Sequence, residues 1–199
     1  MAKVDKPTRD PERTRARILV AALAEFASQG FAGARVDAIA AAAGVNKRML
    51  YHYYGNKEAL FLAVLEQAYA EIRAAEGALR LADLRPDEAI RALVRFTWDY
   101  YLAHPEFITL LNNENLHRAA HLGRSTRIRA MNSPLIDTLR AVLRRGADEG
   151  LFRASIDPLE LYISIAALSY FYLSNNATLS TVFSRDLTSP AARRKRLAH

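Results

Sequence analysis

Cysteine is absent from this chain of 199 residues. Its absence excludes a disulfide framework, a cysteine-ligated zinc site and a thiol nucleophile. Glycine and proline are scarce, at 8 and 7 residues, so breaks in regular structure fall at few places. No long apolar run occurs; stretches such as 163–168 are far short of the ~20 residues that span a membrane as a helix. The opening MAKVDKPTRD is polar and lacks the apolar segment of a secretory signal. A Gly-rich phosphate loop and a Gly-x-Ser-x-Gly elbow are missing too. These gaps point away from an enzyme and imply no cofactor, and they lead us to expect a cytoplasmic protein.

What is present is an ordinary globular composition, 51% apolar and 25% charged. Ala and Leu are abundant and no stretch alternates with period two, so the expected fold is all-α. The net charge of +7 is unevenly placed. Residues 1–60 hold ten basic and six acidic side chains, a net +4; residues 185–199 hold five and one, again +4; the long middle sums to −1. A basic N-terminal segment ahead of a neutral body suits a polyanion partner. A solvated basic face with no partner is the alternative on charge alone.

Helical spacing recurs along the chain. Ile18, Leu19, Ala22 and Phe26 share one face of a helix expected from Pro11 to Gln29, with Asp10 as N-cap and Gly30 as stop. A short helix carrying Val36, Ile39, Ala40 and Ala43 ends at Gly44, and Asn46 caps a third from Lys47 to Tyr53. After Gly55-Asn56 a long helix bears Leu60, Val64, Ala68 and Ile72. Further helices are expected up to His104, from Pro105 to Ala120, from Pro134 to Gly146–Gly150, and from Asp157-Pro158 to Asn175. A further helix is expected in Ser180–Leu197. The division implied is a helix-turn-helix domain over 10–55 and a larger helical-bundle domain over 56–199.

The most informative segment is 35–54. Ala40 is small where two short helices must approach closely. Gly44, four residues later, suits a turn that needs a left-handed residue. Val45 and Leu50 fill the wedge between the helices. Together with Gly30-Phe31, Val36, Ile39-Ala40, Ala43, Tyr51, Tyr54 and Asn56-Lys57-Glu58-Ala59-Leu60, this string resembles the DNA-binding domain of TetR/AcrR-type transcriptional regulators over residues 13–65. The resemblance implies a homodimeric repressor, with a three-helix N-terminal domain on an operator palindrome and a C-terminal domain that dimerises and binds a small effector.

By position, the resemblance places Lys47 and Arg48 at base edges in the major groove, where their donors pair with guanine. Asn46, as cap, sits at the same face. Met49 stands where the family often has Thr and offers apolar contact. Tyr51 and Tyr53 match phosphate-contacting positions, Tyr53 in place of the more usual His, and His52 lies between them. Lys57 opens the fourth helix, where charge and helix dipole favour phosphate. Arg35 and Val36 stand at a DNA-contacting position of the family and are both expected at the DNA interface, although they depart from the usual Ser or Thr cap; Arg35 takes over the phosphate role. Arg9, Arg13, Arg15 and Arg17 are further candidates for phosphate.

In the larger domain, Leu65, Tyr69, Trp98, Tyr101, Asn113, Glu114, His117 and Tyr170 combine aromatic and polar character as a ligand cavity requires. Core aromatics with a structural Asn113/Glu114 network are the competing explanation. The stretch 96–117 resembles C-terminal domains of TetR-type regulators near nitrogen-heterocycle or aromatic catabolism. Glu114-x-x-His117-x-x-x-His121 places three metal-type ligands on one helix face, but a helical di-iron site needs a second such motif and further carboxylates. A helical-bundle metal protein or enzyme with a basic N-terminal domain is therefore the lesser alternative. Leu135, Leu139 and Leu143 stripe one late helix, and Leu159, Tyr162, Ile163 and Ala166 belong to a second that is apolar nearly all round. Both are expected at a dimer interface, because a helix apolar on every side must be covered on every side. The basic tail 191–197 is expected to be a solvated end rather than a DNA contact.

Overall fold

The computed structural model describes residues 10–199; Arg9 lies outside them. Nine α-helices and two short 3-10 turns make up the described residues, with no strand among them. The helices are α1 Pro11–Gly33, α2 Val36–Ala42, α3 Lys47–Tyr54, α4 Lys57–Gly77, α5 Pro86–Ala103, α6 Pro105–Leu116, α7 Thr126–Asp148, α8 Pro158–Val182 and α9 Pro190–Ala198. The tail helix is the ninth. No helix is long and apolar enough to cross a membrane.

Two compact units form. One runs to Gln67 and takes in Leu110–Ser125; the other comprises Ala68–Thr109 and Thr126–His199. Both α4 and α6 contribute to each.

In the first unit, the Asp10 carboxylate accepts the amides of Glu12 and Arg13 and starts α1. Gly30 breaks that helix at φ 67°, ψ 173°, a conformation open to glycine alone. A Cβ there would stand 2.7 Å from the Asn113 Oδ1. Ile18, Ala22 and Phe26, on the inward face of α1, are fully buried, as are Ile39, Leu50 and Leu60. Phe26 meets Phe61 edge to face at 4.9 Å.

The second unit packs α5 against α8 and α7 against both. Its core contains Leu81, Ala89, Leu93, Leu135, Leu139, Val142 and Ile165. Here two boundaries differ from expectation. Helix α7 begins at Thr126, eight residues before Pro134, which lies inside it. Proline is common at the first position of a helix, but here one missing backbone donor is outweighed by a buried stripe, Ile128, Leu135, Leu139 and Val142, that needs the earlier turns. Helix α8 continues seven residues past Asn175.

Helix α6 stops at Leu116 rather than at Ala120. Arg118 and Ala119 then take left-handed conformations, φ 54° and 57°. The turn returns His121 onto Glu114, whose buried carboxylate accepts the amides of His121 and Leu122 at 2.8 Å and meets His121 Nδ1 at 2.8 Å. Those bonds repay the backbone strain. Glu114, His117 and His121 therefore do not share one helix face. No cluster of three metal-type ligands occurs among the described residues.

Candidate nucleic-acid interface

The interface builds from the turn between α2 and α3. Gly44 has φ 64°, and the amides of Gly44 and Val45 donate to Ala41 and Ala40 at 3.0 Å each. Ala40 and Ala43 are buried in the crossing. The Asn46 side-chain oxygen accepts the Met49 amide at 2.8 Å, capping α3, so its acceptor serves the helix before any ligand. Leu50 is the one fully buried residue of α3. It pins the helix by its inner face and turns the rest outward.

On that outer side Lys47, Arg48, Tyr51 and His52 are exposed, with Met49 and Tyr53 half-buried. Lys47 Nζ pairs with Asp37 at 3.1 Å on an exposed surface; such pairs are worth at most about 1 kcal/mol and yield to a phosphate or a base. The Arg15 guanidinium lies over the Tyr53 ring at 5.5 Å. The Tyr54 hydroxyl donates to the Arg15 carbonyl at 3.1 Å, and burial raises its pKa. Both contacts fix α3 against α1.

The N-terminus of α2 has no side-chain cap of its own. Glu25, on α1, accepts the Arg35 amide at 2.9 Å instead, and the Arg35 side chain is exposed. Val36 needs correction. It is 9% exposed and packs inward, so its side chain is not a DNA contact. Lys57 is half-buried, donates to the Ala32 carbonyl at 3.3 Å and lies 5.0 Å from the Phe31 ring centre. It holds the α1–α2 junction as well as facing outward. The capping of α2 by Glu25 and the packing of Arg15 on Tyr53 were invisible as local signals, because each acts ten or more residues away.

The cavity candidates divide between the units. Leu65, Asn113, Glu114 and His117 belong to the first; Tyr69, Trp98, Tyr101 and Tyr170 belong to the second. Asn113 Oδ1 accepts the Phe31 amide at 3.2 Å. The exposed His117 ring stands edge-on to Phe31 at 5.7 Å. Trp98 and Tyr101 are buried; Trp98 packs on Tyr172 and Tyr101 stacks on Phe107. Burial lifts the Tyr101 hydroxyl well above its ordinary pKa and Tyr100 to about 12.

The dimer candidates also divide. Leu135, Leu139 and Leu143 are 8%, 0% and 7% exposed within a single chain. They are spent on the chain's own core and offer no surface, which corrects their expected place at an interface. On α8, Leu159 and Ile163 are exposed, together with Leu168 and Phe171, while Tyr162 and Ala166 are half-buried. Apolar on all sides, α8 is covered on one side only. The tail helix α9 leans on α8: Arg196 donates to the Leu168 carbonyl at 3.1 Å and lies over the Tyr172 ring.

Comparison with known proteins matches residues 18–64 to the family described as bacterial regulatory proteins, tetR family. Residues 86–199 match the tetracyclin repressor-like C-terminal domain. The chain is similar to the HTH-type transcriptional repressor NicS of Pseudomonas putida, 44% identical over 92% of this chain and 86% of that one. It resembles the solved structure of the TetR family regulator PfmR from Thermus thermophilus in fold, at 24% identity and TM-score 0.68 over 92% of this chain and 93% of the other. The structure of AibR, solved with isovaleryl coenzyme A and operator DNA, is 27% identical with TM-score 0.61 over 81% of this chain and 86% of that one.

Proposed function

The chain belongs to the TetR family of bacterial regulatory proteins, and we propose that it is a ligand-responsive repressor that binds a palindromic operator as a homodimer and is released by a small effector. Members of this family are transcriptional regulators and not enzymes, which removes the helical-bundle enzyme alternative. The observation that carries the proposal is α3: capped by Asn46, seated on the buried Leu50, and presenting Lys47, Arg48, Tyr51 and His52 outward. In this reading Arg48 and Lys47 select bases. Arg35, Met49, Tyr51, His52, Tyr53, Lys57 and the basic face of α1 set register on the phosphates.

Two copies are needed, because a palindrome presents two major-groove half-sites about 34–36 Å apart. The exposed Leu159, Ile163, Leu168 and Phe171 on α8 support a two-fold contact there. AibR with operator DNA and an acyl-coenzyme A supports an effector that favours a conformation in which the half-sites no longer match. Control of this kind runs on a coupling of about 1–3 kcal/mol between the two sites. The protein works in the cytoplasm, where the operator is.

Selection of bound sequences from random DNA tests the proposal. The expected product is a palindrome with half-sites one helical turn apart, bound by a particle of twice the 22.2 kDa chain mass. Enrichment of no sequence, or binding by a monomer to a single half-site, contradicts it.

A further inference from the structure

The second unit contains a cavity of about 250 Å³ beside the C-terminal half of α4. Leu81, Met131, Pro134 and Leu135 supply apolar wall, Arg73 and Glu76 supply the buried polar part, and Thr138 and the exposed Arg80, which is paired with Asp83 at 2.6 Å, line it too. Both polar side chains are more than nine-tenths buried. Arg73 Nη2 donates to the Tyr162 hydroxyl at 2.7 Å. Its Nη1 approaches Glu76 Oε2 to 2.7 Å, yet the pair is not aligned as a hydrogen bond. Among the described residues Arg73 Nε has no hydrogen-bond partner, and Arg73 Nη1 and Glu76 Oε2 have none beyond their mutual ion pair.

Buried groups left in this state carry their desolvation cost already. A ligand that completes their bonds gains without removing further water from them, which is preorganisation. The missing partners define its chemistry: an acceptor for the Arg73 N–H groups and a donor for the Glu76 oxygen. The ion pair cancels its own charge, so a charged ligand would bring in an uncompensated buried charge. The volume holds about eight water equivalents, enough for one ring with a substituent.

We propose that this cavity is the effector site and takes a small, uncharged, single-ring molecule bearing an amide, lactam or ureide group, whose carbonyl accepts from Arg73 and whose N–H donates to Glu76. This rests on the regulator reading above and specifies its ligand. Burial raises the Glu76 pKa to about 7 even though Arg73 opposes it. The groups around Glu76 and its cavity are Arg73 on its own helix, Arg80 just after that helix and paired with Asp83, Tyr100 and Tyr101 on α5 and Tyr162 on α8; the lining residues of α7 carry none. An N–H donor favours ionised Glu76, so affinity rises with pH through about 7. A carboxylate ligand needs Glu76 protonated and gives the opposite slope.

Calorimetry of the intact chain with benzamide and benzoate, equal in size and different in charge, is the test. The expected result is millimolar or tighter binding of benzamide, an affinity that rises from about pH 6 to about pH 8 and loses that rise in Glu76→Gln, and benzoate weaker by at least about tenfold. Thr138→Trp fills the cavity from α7 without touching the ion pair. It abolishes benzamide binding while circular dichroism keeps its helical signal. Absence of benzamide binding, benzoate equal or better, or benzamide binding unchanged in Thr138→Trp overturns the proposal. Operator binding by ligand-free protein is measured in parallel: if it persists where benzamide fails, the ligand class falls and the repressor reading stands.

Discussion

The two units bury polar groups in opposite ways. In the first, the buried carboxylate of Glu114 has its bonds complete, from two amides and a ring nitrogen. In the second, Arg73 and Glu76 are buried with bonds left open. Under the proposed function, the unit that presents one fixed helix to DNA gains from a fully satisfied interior, and the unit that responds to a small molecule gains from one that is incomplete until the molecule arrives.

The sharpest break of this contrast is Leu50→Ala. Leu50 is the buried residue that seats α3, and its loss is expected to cost about 2–5 kcal/mol. Operator binding should vanish while benzamide affinity in the second unit persists; loss of both would mean that the units do not separate in this way.

Next is the pH response of the second unit. Folding raises the Glu76 pKa from 4.5 to about 7, so the folded state holds the extra proton between those values. Stability then falls as pH rises across that window, by up to about 3 kcal/mol, and is level above it. Urea unfolding against pH checks this, and Glu76→Gln should flatten the curve.

Gly146→Ala probes packing in the same unit. A Cβ on this helical glycine runs into the Phe152 ring, and we expect a loss of about 1–3 kcal/mol in thermal unfolding. Smallest is Asn46→Ala, which removes the α3 cap for about 1 kcal/mol. It should lower operator affinity through fraying and leave the second unit's unfolding midpoint where it was.

How legible each unit was follows from the range of its determinants. Asp10, Gly30, Gly44 and Asn46 each act within a few residues, and the boundaries they set were visible in the sequence. So was the turn between α2 and α3, because Ala40, Gly44 and Leu50 form a local pattern; the outward face of α3 was expected from the family resemblance. The end of α6 was hidden: no glycine or proline marks it, and the turn exists because Glu114 recruits amides seven and eight residues on. Pro134 misled in the other direction, since a buried stripe can carry a helix through a proline. The inward α7 stripe was read as an interface because periodicity identifies an apolar face but not what covers it. The Arg73–Tyr162 contact joins residues 89 apart, and no local pattern announces it. Val36 was assigned by alignment with a motif position, although burial at the start of α2 is what that position does here.

The direct measurement is the affinity of Arg48→Ala for the selected operator and for random DNA of equal length. Arg48 is exposed on α3, and its role as a base reader predicts a loss of about tenfold or more on the operator, from about 1–3 kcal/mol, with little change on random DNA. Equal losses on both would contradict it and make Arg48 one more phosphate contact on a surface that does not read sequence.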